Sequence, residues 1–142
     1  SMSSRIVLMN EGEIEQLSNP NELYEKPNTA FAAKFMGFSN IFSISNIEQI
    51  NSNNILNYLT EESKHSNKLC FRSKDVDIVS QSNGDFKIIS KNYYGDSYKF
   101  QAINNNGLII NLSSSNNNIS KLDINTLVNL KINNEKIITL EK

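Results

Sequence analysis

Any chemistry in this chain has to come from a short list of side chains, and two clusters stand out. The first is Arg72-Ser73-Lys74-Asp75, which carries both charge signs at the end of an apolar run. Such a junction reads as an exposed, salt-bridged turn, with a ligand or interface contact as the sharper alternative. The second is Tyr93-Tyr94-Gly95-Asp96-Ser97-Tyr98, where Gly95 and Asp96 make a natural turn between two strands. Tyrosines on either side would pack across the hairpin or frame a ligand. A cation site needs converging carboxylates or aromatic faces, so Asp75, Asp77, Asp96 and these tyrosines are the residues to follow.

The remaining candidates point away from catalysis. The single histidine, His65, sits in the polar stretch Glu61-Glu62-Ser63-Lys64-His65-Ser66, without the orienting partner and pocket that a general base requires. Glu61 and Glu62 are adjacent, which suits a solvated turn better than a paired acid and base. Neither a glycine-rich phosphate loop ending in Gly-Lys-Ser/Thr nor a nucleotide-binding glycine triplet occurs. The one cysteine, Cys70, lies in Leu69-Cys70-Phe71, where a buried and inert thiol is expected; Arg72 is assigned to the opposite face of that strand. No disulfide framework or cysteine-only metal cage is possible with one cysteine.

Composition narrows the function classes further. The 142 residues suit one medium domain or a lead-in plus a compact domain, large enough to bury a core without a metal or disulfide staple. Fourteen Lys and Arg against fifteen Asp and Glu give a net charge of −1 and no basic run, which argues against nucleic acid as a partner. Apolar runs are only a few residues long, far short of the roughly twenty that span a bilayer, and no secretory signal is seen. The expectation is a soluble, cytoplasmic chain that does not itself insert into a membrane. Asparagine makes up about one residue in six, with many Ile and Lys, the mark of an AT-rich genome. The tracts Asn51 to Asn54, Asn104 to Asn106 and Ser113 to Asn118 accordingly read as loops.

The elements that must position these residues begin with a hairpin. Arg5 to Met9 and Glu13 to Leu17 flank a turn ending in Gly12. The first arm is almost continuously apolar, as in a strand buried on both faces of a larger sheet, yet no upstream strand could supply that sheet. Asn19 as N-cap, Pro20 at the first helical position and Pro27 beyond the end predict a short helix. A second, Ala30 to Met36, opens at Asn28 or Thr29 and closes at Gly37, with Phe31, Ala32, Phe35 and Met36 as its docking face. Beyond Gly37 short β runs are expected at Ile41–Glu48, Ile55–Tyr58, Lys68–Arg72, Asp75–Val79, Phe86–Lys91, Ser97–Ile103, Leu108–Leu112, Leu127–Ile132 and Lys136–Leu140. Many short strands at this spacing predict an all-β fold, best described as an OB-like Greek-key barrel.

The opening residues carry a resemblance. Arg5-Ile6-Val7-Leu8-Met9-Asn10-Glu11-Gly12-Glu13-Ile14-Glu15-Gln16, then Pro20, Leu23-Tyr24, Pro27, Phe31, Ala33, Phe35, Gly37 and Asn40, are similar to the end of the nucleotide-binding domain of ABC importer ATPases. The branch resembled serves polyamines, ferric iron, sulfate, phosphonates and sugars. In that family the junction leads into a β-rich, OB-like transport-associated (TOBE) accessory domain. The resemblance implies a division into residues 1–38, the end of the ATPase core with its connecting helices, and residues 39–142, the accessory domain. Arg72-Ser73-Lys74-Asp75 stands where the family commonly has Arg-Pro-Glu-Asp, and Ser18-Asn19 replaces a common Gly-Thr.

The resemblance implies a non-enzymatic regulatory piece of a subunit whose ATP and Mg sites lie upstream; no cofactor is expected in this chain. The implied partners are a second copy of the ATPase subunit and, through the missing core, the membrane subunits, at the inner face of the membrane. Ile6, Leu8, Tyr24, Phe31 and Phe35 are the candidate junction or dimer contacts. Polyamine or ferric iron is the favoured solute, and the chain is expected to be an expressed fragment. The alternative is a stand-alone OB-like domain binding a small oxyanion or cation; an OB-type nucleic-acid binder ranks last.

Overall fold

The computed structural model describes residues 4–49, 66–80, 84–114 and 121–141. The expected strand Ile55–Tyr58 and the residues Glu61, Glu62 and His65 lie outside the described residues. The fold is all-β and OB-like, with three short helices and ten strands among those residues.

The N-terminal hairpin pairs β1 (Ile6–Asn10) with β2 (Glu13–Ser18). Its turn uses Glu11 and Gly12 at φ of 51° and 83°, the left-handed region where glycine carries no steric penalty. Helix α1 (Pro20–Glu25) starts as expected: Asn19 Oδ1 accepts from the Glu22 N–H at 2.9 Å, with Pro20 in the first turn. Helix α2 (Ala30–Phe35) is capped by Thr29, whose Oγ1 accepts from the Ala32 N–H at 3.2 Å. Gly37 then leaves the helix at φ 87°.

Two sheets share the main core. One has the order β10 (Ile138–Leu140), β4 (Lys68–Phe71), β3 (Asn40–Ser43), all antiparallel. The other runs β5 (Val76–Ser80), β9 (Leu127–Ile132), β6 (Phe86–Tyr93), β7 (Tyr98–Asn104), β8 (Ile109–Ser114). Strand β4 is central in its sheet and is buried on both sides. Leu69 and Phe71 enter the core with Phe100, Ile110 and Val128, while Cys70 faces Ala33, Phe38 and Leu140. That double burial is why Leu69-Cys70-Phe71 is a continuous apolar run.

Three expectations need correction. The strand expected over Ile41–Glu48 ends at Ser43, where Ile44–Gln49 turns into helix α3. The strand expected over Lys136–Leu140 is shorter, because Asn134–Lys136 form a helical turn. The Ser113 to Asn118 tract is not all loop, since β8 runs through Ser114. The helical turn has a local cause, Asn133 Oδ1 accepting from the Glu135 N–H at 3.2 Å, whereas Ser114 is held in strand by pairing with Tyr98.

Candidate functional site: the junction clasp and the sheet face beside it

The junction between the hairpin and the barrel is held by polar groups reaching across long sequence separations. Gln16, buried at the centre of β2, accepts from the Asn28 N–H at 2.8 Å and donates to Ser18 Oγ at 2.9 Å. Glu15 accepts from Thr29 Oγ1 at 2.8 Å, which ties the cap of α2 to the same strand. On the inner side of the hairpin Leu8 packs with Leu23 and Ala32.

Arg72 joins this assembly to the barrel. Its guanidinium lies between two rings, 3.7 Å from the Tyr24 centroid and 3.8 Å from that of Phe38. One terminal nitrogen donates to the Tyr24 carbonyl at 2.7 Å and to the Met36 carbonyl at 3.2 Å, one in the last turn of α1 and the other at the C-cap of α2. Delocalised charge, a flat face and several in-plane donors are what such a slot requires, and only arginine offers all three. The turn expected here is present as the helical turn Ser73–Asp75 with Lys74 exposed, but Arg72 is not on its solvated side. Arg72 is buried, and among the described residues it is neutralised by carbonyl dipoles and aromatic faces, with no carboxylate in an ion pair. Its placement opposite Cys70 is also overturned: residues two apart share a strand face, and both side chains pack against Phe38.

Cys70 is buried as expected, and burial pushes its thiol up to about 12, against a smaller lowering by the Arg72 charge. At pH 8 the folded thiol then has roughly a thousandth of the usual thiolate, and iodoacetamide labelling is expected to proceed only through unfolding. The sign of the linkage follows. The unfolded thiol titrates near 9.0 and the folded one near 12, so the stabilising difference is complete below pH 9 and is lost as pH rises toward 12. Denaturant melts of wild type and Cys70→Ser across that window check it, with the variant expected to lose less stability as pH rises.

Of the candidate contact residues, Leu8 is buried, whereas Ile6, Tyr24, Phe31 and Phe35 keep exposed surface. Of the docking face expected for α2, Ala32 is buried and Met36 packs beside it, joined by Ala33, while Phe31 and Phe35 stay exposed. Ala32 packs with Leu8 of β1 and Ala33 with Cys70 of β4, and the two rings lie outside these contacts. The first strand was expected to be buried on both faces; among the described residues it pairs only with β2, and its Val7 and Met9, with Ile14 and Leu17 of β2, are exposed.

The tyrosine motif is a hairpin turn with aromatic packing across the strands. Gly95 takes φ 89°, the Tyr93 and Tyr98 rings form a tilted pair 4.8 Å apart, and the Tyr93 hydroxyl donates to the Gly95 carbonyl. Asp96 is exposed in that turn, and Asp75 and Asp77 lie at the other motif. Among the described residues no three His, Cys, Asp or Glu side chains are grouped to hold a metal ion. The structure does bring the two motifs together: Ser73 and Tyr94 line one cavity of about 390 Å3. Sequence reasoning singled out neither Asn40 nor Gln16 for a side-chain role, because their partners are far away in the chain or are backbone atoms.

No protein-family model matches the chain. It is 33% identical to the spermidine/putrescine import ATP-binding protein PotA of Mycoplasma genitalium, across 87% of this chain and 23% of that protein. The protein of the same name from Vibrio cholerae is 33% identical across 70% of this chain and 29% of the relative. That from Bacillus thuringiensis is 58% identical over a shorter stretch of 41 residues. The chain thus spans less than a third of the length of these relatives. Among the described residues no helix is long and apolar enough to cross a membrane. Over most of its length, this chain is similar to part of the ATP-binding subunits of import systems.

Proposed function

We propose that this chain is the C-terminal accessory region of an ABC-type import ATPase, a TOBE-like domain preceded by the last hairpin of the ATPase core. The division into residues 1–38 and 39–142 belongs to the same proposal. ATP and Mg would be bound by the part of the subunit that precedes it, and the subunit would work at the cytoplasmic face of the membrane with its membrane partners. The names of the relatives favour a polyamine over ferric iron as the transported solute.

One observation carries the reading: the apolar outer face of the hairpin. Val7 and Leu17 are cross-strand partners, Met9 is paired with Ile14, and all four are exposed while Leu8 and Gln16 point inward. Isolated apolar side chains on a surface are ordinary, but a contiguous set on an open-edged two-stranded ribbon marks a face built to be covered. In the complete subunit the rest of the ATPase sheet is the natural cover. For the chain by itself, the expected cover is a second copy.

Sedimentation equilibrium tests this. The chain is expected to dimerise, and Val7→Lys combined with Leu17→Lys should make it monomeric. Because both side chains are exposed, the thermal midpoint of the monomeric unit should hardly move. A chain that stays monomeric at every accessible concentration, or a dimer unaffected by the two lysines, sinks the proposal.

A further inference from the structure

The outward face of β6, β7 and β8 carries a register of polar side chains that the import reading does not use. Cross-strand partners share a sheet face. The pairings Ser90 with Gln101 and Gln101 with Asn111 make one polar row. Asn92 with Lys99 and Lys99 with Ser113 make the next, two residues along each strand. A sheet face with water alone to meet needs no such uniformity, and here it forms the floor of the cavity of about 390 Å3.

The walls come from elsewhere in the chain. Ser73, from the turn after Arg72, bonds Ser113 at 3.0 Å, and Ser39 precedes β3. Tyr94 stands at the other side, with the Lys99 ammonium 4.9 Å from its ring centroid. Amide orientations in the first row are already set: Gln101 donates to Asn111 Oδ1 at 3.2 Å, and Asn111 donates to the Ser39 carbonyl at 3.1 Å. The floor is therefore preorganised, which lowers the entropy lost on binding.

The lining selects a chemical class. It holds no carboxylate, one cation and several hydroxyl and amide groups, so a polyamine finds no counter-charge here. A single ammonium suits one anionic group. The cavity is larger than an inorganic oxyanion fills, and its neutral polar groups, able to donate and accept, suit hydroxyls. We propose that this face binds a phosphorylated polyol of sugar-phosphate size, with Lys99 on the phosphate and the Ser90, Asn92 and Gln101 side chains on hydroxyl groups. The ligand would be an effector distinct from any transported polyamine. It would bear on the junction directly, since Ser39 and Ser73 flank Phe38 and Arg72 in the chain.

Isothermal titration calorimetry of the chain with glucose 6-phosphate, inorganic phosphate, glucose and spermidine tests this. Glucose 6-phosphate is expected to bind, with affinity at least about tenfold above phosphate or glucose, and Lys99→Gln should lower it about tenfold. Asn92→Ala, at an exposed position, should weaken it with the thermal midpoint unchanged. Inorganic phosphate binding as tightly as the sugar phosphate would overturn the polyol assignment, and glucose doing so would overturn the anionic one. Absence of binding, or binding indifferent to Lys99→Gln, overturns the site. These outcomes are read separately from the hairpin test, since Lys99 lies on β7 and not on the hairpin strands.

Discussion

Replacing Asn40 with Leu is expected to lower stability by about 4 kcal/mol, roughly 13 °C in the thermal midpoint for a chain of this size. Asn40 is fully buried, and its side-chain amide acts as a piece of strand. Its Nδ2 donates to the Asn111 carbonyl at 2.8 Å, and its Oδ1 accepts from the Asn111 N–H at 2.7 Å. Asn111 lies on β8, an edge of the five-stranded sheet, and Asn40 opens β3 in the other sheet. The amide thus closes the barrel where no main-chain ladder does. Leucine keeps the branching at Cγ but is larger, and it leaves the half-buried Asn111 N–H and carbonyl without these partners, each costing about 1–3 kcal/mol. Asn40→Asp gives a sharper check. Its ionised form accepts from the Asn111 N–H but confronts the carbonyl, whereas the protonated form restores both bonds. Its folded-state pKa should therefore be raised, so the deficit relative to wild type should shrink as pH falls. Equal denaturant midpoints for wild type and Asn40→Leu would refute this account of barrel closure.

The second large effect is expected at Arg72. Truncation to Ala removes two charge-assisted hydrogen bonds and two ring contacts, for a loss of about 3 kcal/mol, or roughly 10 °C. Arg72→Lys should recover less than half. An ammonium cannot lie flat between Tyr24 and Phe38, 3.7 and 3.8 Å from the present guanidinium carbon, and also reach both carbonyls. The distinguishing readout is local. Amide exchange in α1 and α2 should accelerate more than exchange in β6 and β7, because the clasp holds the junction helices to the barrel and lies outside the five-stranded sheet. Uniform acceleration across the chain would mean that Arg72 merely contributes to the core. Within the import reading, loss of this clasp would leave the accessory domain held to the junction by the Glu141 N–H bond to the Asn28 carbonyl, by the packing of Ala33 with Cys70 and Leu140, and by the chain itself.

Local rules were legible wherever the physical cause is local. Asn19 and Pro20 start a helix because a side-chain oxygen three residues away satisfies an orphan N–H, and Thr29 does the same for the next one. Gly12, Gly37 and Gly95 mark turns because the left-handed backbone region favours a residue without Cβ. The run Leu69-Cys70-Phe71 read as a strand with a buried, inert thiol, and the spacing from Arg5 to Asn40 carried the likeness to import ATPases.

Other properties depended on who meets whom. Arg72 read as a solvated turn because its partners, Tyr24 and Met36, lie 48 and 36 residues away. Asn40 read as one of many asparagines, since its two bonds go to a backbone 71 residues on. Phe31 and Phe35 looked like core from their spacing, yet α2 buries alanines, because how closely two elements approach is set by both of them. Likewise Ser73 and Tyr94, each notable in its own motif, share a cavity only because the strand register places them there. Sequence by itself determined the caps, turns, strand repertoire and family likeness, all governed by neighbours within a few residues. Tertiary structure decided which polar groups are buried, which apolar faces stay open and where a ligand would fit, because burial and register are properties of the assembled chain.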